Sequence, residues 1–178
     1  NIIKNVNKFK YIFKEAIMSI WVKNNFGNHT LDPDNLPEIM PSEINAAFKK
    51  GFTNLGTLMD TIDIDITEIG DDFLKATMQA RPLVYNPLGV VHGGAYVALA
   101  ETVASFAANI AVDTKKYYCV GQEINANHLK STVDGILTAT ATPIHLGKRS
   151  SVWSVIIHNE NNEPCCISRM TAAVIKHQ

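Results

Sequence analysis

Gly89-Val-Val-His-Gly-Gly-Ala-Tyr-Val-Ala-Leu-Ala-Glu-Thr-Val-Ala-Ser-Phe-Ala-Ala-Asn-Ile-Ala-Val112 is a run in which Glu101 carries the only formal charge. A stretch so rich in Ala and Val reads as a helix buried on nearly all sides. An unpaired carboxylate in that setting costs roughly several kcal/mol, so Glu101 needs a partner, a shifted pKa or a chemical task. The run also opens on Gly93-Gly94 directly after His92. Free backbone N–H groups are therefore expected at one end of the helix, and an isolated acid in its middle.

The spacing has a consequence. His92 and Glu101 are nine residues apart, roughly two and a half helical turns and about 13–14 Å, so their side chains point to opposite faces. Two such helices antiparallel across a two-fold axis would bring His92 of one copy near Glu101 of the other, which predicts a dimer with two shared sites. Ser105, four residues past Glu101, falls on the same face and within its reach. Gly93 and Gly94 allow close approach of a carbonyl oxygen to the positive end of the helix dipole. An acyl-transfer site requires such a donor facing a carboxylate that attacks or activates water. Each part also has a plain structural reading: a tight helix entry for the glycines, a cap for His92, packing for Ser105, an ion pair for Glu101. Their conjunction points to chemistry.

Outward from this run, Arg81 to Leu88 is a loop held by Pro82 and Pro87. Before it, Ile62, Ile64 and Ile66 alternate with polar residues as a half-buried strand. Gly70-Asp71-Asp72 makes a turn, and 73–80 returns as a second strand. After the helix come four strand candidates at 119–127, 135–144, 150–158 and 164–175, the last two joined by the polar turn 159–163. This is an α+β layout, a sheet wrapping one helix, with the last four strands as an antiparallel meander. Ser42 reads as an N-cap to a helix over 43–50, stopped by Gly51. Residues 1–17 read either as an amphipathic helix or as sequence upstream of a natural start at Met18, the second being favoured.

Sixteen basic residues against seventeen acidic ones give no general attraction to nucleic acid or to an anionic membrane. The longest apolar run, interrupted by Glu101, is too short for a membrane span. Cys119, Cys165 and Cys166 show neither CxxC spacing nor a histidine cluster, so no metal site is expected. Their odd number fits a reducing cytoplasm.

His92-Gly-Gly, Glu101, 120–130 (Val-Gly-Gln-Glu-Ile-Asn-Ala-Asn-His-Leu-Lys), His145-Leu-Gly-Lys-Arg149, Val152-Trp153 and Cys165-Cys-Ile-Ser-Arg169 together resemble the hotdog-fold acyl-CoA thioesterases. The similarity extends to the phenylacetate-pathway, 4-hydroxybenzoyl-CoA and 1,4-dihydroxy-2-naphthoyl-CoA enzymes. It covers about 59–175, so 59–178 is expected to be the hotdog domain and 1–58 an N-terminal extension.

That resemblance implies hydrolysis of a CoA thioester, with an aromatic acyl group favoured and no cofactor beyond the CoA of the substrate. It implies Glu101 as nucleophile or general base, and Gly93 N–H, from the neighbouring subunit, as oxyanion donor. His92 would support substrate binding or the leaving thiol, and Ser105 would stand where the family places Ser or Thr. Asn86 occupies the position of a carbonyl-polarising amide that is usually Gln. Asn127, His128, Leu129, Lys130 and His145, Leu146, Gly147, Lys148, Arg149 resemble the CoA-holding segments. Lys130, Lys148 and Arg149 can pair with phosphates, although each cation alone also reads as a solvated strand end. Homodimers pairing again into tetramers are the implied assembly. Two other functions fit the pattern: a hydratase or dehydratase on the same fold, and a non-catalytic acyl-CoA binder.

Overall fold

The computed structural model describes residues 56–113 and 116–178. The expectations for 1–17, for Ser42 and for the helix over 43–50 lie outside the described residues. Among the described residues six strands form a single antiparallel sheet: β1 (Asp65–Ile69), β2 (Leu74–Gln79), β3 (Tyr117–His128), β4 (Ile136–Leu146), β5 (Ser150–His158) and β6 (Pro164–Lys176). A short helix α1 (Leu58–Thr61) precedes β1, and the long helix α2 (Gly93–Ile110) stands between β2 and β3. Helix α2 packs against β2 to β6, the sheet-around-helix layout read from the strand and helix pattern and the hotdog fold that the family resemblance implies.

The strand order is β1-β2-β4-β5-β6-β3, so the expected four-strand meander is corrected. Only β4, β5 and β6 form one; β3 pairs with β6 at the far edge and β4 pairs with β2. The reason is the course of the helix. α2 runs antiparallel alongside β3, its start at His128 and its end at Cys119, so the chain leaves it already at the far edge.

The first strand also begins later than the Ile62–Ile66 alternation predicts. Asp60 caps the Thr57 N–H, and Ile64 N–H returns to the Met59 carbonyl, so Ile62 ends a helical turn instead. A register shift between Ile66 and Glu68 then turns both Ile66 and Ile69 inward although they are three residues apart. β4 outlasts its expected end at 144 because its register shifts between Pro143 and His145, where a proline is tolerated.

The core lies between sheet and helix. From α2 it takes Tyr96, Leu99, Ala100, Val103, Ala104, Ala107, Ala108 and Ile110, a stripe of helical period. From the sheet it takes Leu74, Met78, Leu137, Trp153, Ile157 and Met170, all fully buried. Within one chain α2 is therefore not buried all round. Its other face, with Gly94, Val97, Ala98, Glu101, Thr102 and Ser105, is only partly covered or open.

Candidate active site

His92 is the N-cap of α2: its extended backbone (φ −65°, ψ 138°) lets Nδ1 accept the Gly94 N–H at 2.8 Å. The cap thereby uses one of the orphan donors of the first turn. The Ala95 and Tyr96 N–H groups return to the His92 carbonyl. Among the described residues the Gly93 N–H meets no acceptor, and it stands at the positive end of the helix. The loop before it is tied to 132–133: Tyr85 Oη donates to the Val133 carbonyl, and Val91 N–H donates to the Thr132 carbonyl at 2.9 Å.

Asn86 organises that loop. Its Oδ1 accepts the Leu88 N–H at 2.9 Å and the Val90 N–H at 3.5 Å. Both partners are donors, so the oxygen is committed to the turn and the NH2 faces the other way. A structural duty thus accompanies the amide chemistry anticipated for this position.

Eight residues on from Gly93, Glu101 lies on the partly covered face of α2. Ser105 Oγ donates to its Oε1 at 3.4 Å, and among the described residues no Lys, Arg or His forms an ion pair with it. Burial raises its pKa above the usual 4.5, while the Ser105 hydroxyl pulls the other way. Opposite it is Gly121 of β3, whose bare backbone the carboxylate touches.

Two clusters therefore form. At the start of α2, His128 joins His92 and Gly93: a Cβ on Gly93 would fall 3.0 Å from His128 Nε2. Tyr96 stacks near His128 with centroids 5.7 Å apart and donates to Thr132 Oγ1 at 2.9 Å. At mid-helix, Glu101, Ser105 and Gly121 form the second. Eight helical residues separate Gly93 from Glu101, about 12 Å, so one chain does not bring donor and acid together.

The two segments expected to hold CoA are also parted. Asn127 and His128 end β3; Leu129 N–H and Lys130 N–H both donate to the Cys165 carbonyl, at the start of β6. Lys130 Nζ is ion-paired with Glu163 at 2.5 Å. His145 and Leu146 close β4 and Gly147 turns the chain, its N–H donating to the Ser150 carbonyl. A side chain at Gly147 would meet His145 Nε2 at 2.6 Å and that carbonyl at 2.9 Å. Lys148 and Arg149 are exposed in the turn, and the Arg149 carbonyl accepts the Val174 N–H near the end of β6. Cys165 and Val174 stand nine positions apart along β6, about 30 Å.

The Thioesterase superfamily profile matches residues 88–166, from the loop through both clusters. A proofreading thioesterase of Cronobacter turicensis is 40% identical over 124 residues, 69% of this chain and 89% of its own length. The chain belongs to the thioesterase superfamily. It is a thioester hydrolase of the hotdog fold, and its substrate is an acyl thioester. The 1,4-dihydroxy-2-naphthoyl-CoA hydrolase of Escherichia coli K12 is 40% identical over 120 residues, 67% of this chain and 88% of its own. The crystal structure of a variant Pseudomonas aeruginosa thioesterase is similar with TM-score 0.70 at 36% identity, covering 85% of this chain and 99% of that one.

For this thioesterase, sequence reasoning gave no role to Gly121, Asn109 or Tyr96. A glycine inside a strand signals close approach by another group, and Gly121 carried that signal. Asn109 and Tyr96 had none, because their partners Cys119 and Thr132 are distant in sequence. Among the described residues no three His, Cys, Asp or Glu side chains could hold a metal ion, and no helix is long and apolar enough to cross a membrane.

Proposed function

We propose that this thioesterase hydrolyses an acyl-CoA with an aromatic acyl group, using Glu101 as the catalytic carboxylate. The observation that carries the reading is a partly desolvated acid with, among the described residues, no cation paired to it and no acceptor for the Gly93 N–H at the start of its helix. Two routes satisfy the chemistry. Glu101 attacks the thioester carbonyl carbon, the C–S bond breaks, CoA leaves as thiolate, and water hydrolyses the resulting anhydride. Otherwise Glu101 takes a proton from water, the hydroxide attacks the same carbon, and the departing thiolate is protonated. Either way the carbonyl oxygen gains charge, for which the Gly93 N–H and the Asn86 NH2 are the donors. The aromatic preference draws on the naphthoyl substrate in the name of the Escherichia coli relative.

The site is completed by a second copy. Since acid and amide donor stand about 12 Å apart in one chain, Glu101 works with Gly93 of the partner subunit. The same exchange would unite Asn127–Lys130 of one copy with His145–Arg149 of the other around one CoA. The exposed edge residues Tyr118 and Val120 and the open face of α2 offer surface for that contact. Pairing of two dimers into a tetramer is the further expectation, to be read by sedimentation.

Thiol release from a panel of aromatic and aliphatic CoA esters, followed with a disulfide dye, tests the activity. Benzoyl-CoA is expected to outpace aliphatic esters in kcat/KM. Consumption of an enoyl-CoA without thiol release would instead indicate a hydratase, and intact binding a non-catalytic protein.

The pH profile gives an independent check. Glu101 acts as the anion, so kcat/KM is expected to fall on the acid side at a pH above the ordinary 4.5. Stability runs the other way. A carboxyl whose folded-state pKa is raised holds its proton longer in the fold than in the unfolded chain, so ionisation costs stability as pH rises from 4.5 through the folded value. Glu101→Gln should be inactive yet more stable than the parent at neutral pH, measured by denaturant melts.

A further inference from the structure

We propose that Gly121 is the seat of the Glu101 carboxylate, a positioning residue for the reaction, held in place by the side chain of Asn109. The inference rests on the role of Glu101 proposed above.

Space, and not backbone conformation, is what requires glycine at this position. Gly121 is absent from the glycines of positive φ, which are Gly56, Gly89 and Gly135 among the described residues. A Cβ at 121 would overlap Glu101 Oε1 and lie 3.4 Å from its Cδ, and the three nearest atoms all belong to Glu101. The carboxylate thus occupies the space that a side chain at 121 would take. The register of β3 on β6 also shifts between Gly121 and Glu123, leaving Gln122 as the extra residue. Such bulges re-aim a strand locally.

Asn109 fastens this strand to the helix. Its Oδ1 accepts the Cys119 N–H at 2.9 Å, and its Nδ2 donates to the Cys119 carbonyl at 3.1 Å and to the Ser105 carbonyl at 2.9 Å. One amide, two turns beyond Glu101, therefore locks the backbone two residues before Gly121. It also grips the helical turn whose Ser105 hydroxyl reaches Glu101. The acid is confined between Ser105 and Gly121, which fixes its direction before substrate arrives.

The test is a cycle of Gly121→Ala and Glu101→Asp, assayed on the fastest substrate of the CoA-ester panel, with circular dichroism melts on every variant. The added methyl meets only the end of a flexible side chain, so Gly121→Ala is expected to fold like the parent. Its kcat should fall by more than about tenfold, towards the roughly hundredfold that an ångström of misplacement can cost, with KM little changed. Aspartate is one methylene shorter and clears the new methyl. Combining Glu101→Asp with Gly121→Ala should therefore give faster turnover than Gly121→Ala alone. Parental kcat in Gly121→Ala, losses that simply multiply, or failure of that variant to fold would each overturn the proposal. Turnover retained by Glu101→Ala would instead overturn the role of Glu101 itself. An inactive Glu101→Ala beside a fully active Gly121→Ala would sink only the seat.

Discussion

Glu101→Ala is expected to lose between about 10²- and 10⁴-fold in kcat, the range supplied by a positioned base, while its melting temperature holds or rises. The carboxylate contributes no ion pair among the described residues and makes only a 3.4 Å hydrogen bond, from Ser105. Burial without a compensating cation makes the charged form costly, as its raised pKa records. Removing it should relieve that cost. A structural acid would behave in the opposite way, losing stability on removal and leaving turnover of the folded fraction intact. Steady-state kinetics with parallel thermal melts separates the two, and an active, destabilised variant would end the assignment.

Gly93→Pro probes the other half of the chemistry. Proline is well accommodated at the first position of a helix, where its N–H would be an orphan anyway. The residue before it must be extended, and His92 already is, with ψ 138°. The substitution should therefore spare the fold while deleting one N–H. Loss of an oxyanion donor costs about 10²–10³ in kcat, and that is the expected result, with CoA-ester binding retained. Gly93→Ala is the matching control. It keeps the N–H and brings a methyl within 3.0 Å of His128 Nε2, so a smaller loss is expected. If proline and alanine have equal effects, the glycine serves space and not donation.

The fold was largely legible because its signals are local. A charge-poor Ala/Val run bounded by His92-Gly-Gly can hardly be anything but the central helix, and alternating strands on either side leave a sheet as its partner. Boundaries failed where short-range hydrogen bonding competed with alternation. At Ile62 a capped helical turn took a residue that the pattern had placed in a strand. The strand order failed for a different reason: nothing near 117–128 says whether β3 joins β4 or crosses to β6. The site divides the same way. Glu101 stands out in the sequence because a charge in an apolar run is conspicuous. Asn109 does not, since a helical asparagine looks like any other until the backbone of Cys119 is found against it. The commitment of Asn86 Oδ1 to its own turn likewise depends on where the Leu88 and Val90 N–H groups lie.

From its sequence alone this thioesterase has its central helix, the acid within it and the glycines at its start, because residue type and period act over a few neighbours. Tertiary structure alone decided that β3 closes the far edge, that Gly121 lies beneath the Glu101 carboxylate, and that the two CoA-like segments sit at opposite ends of β6. These are contacts between residues many positions apart. They depend on α2 lying antiparallel along β3, which sets Glu101 over Gly121 and Asn109 over Cys119.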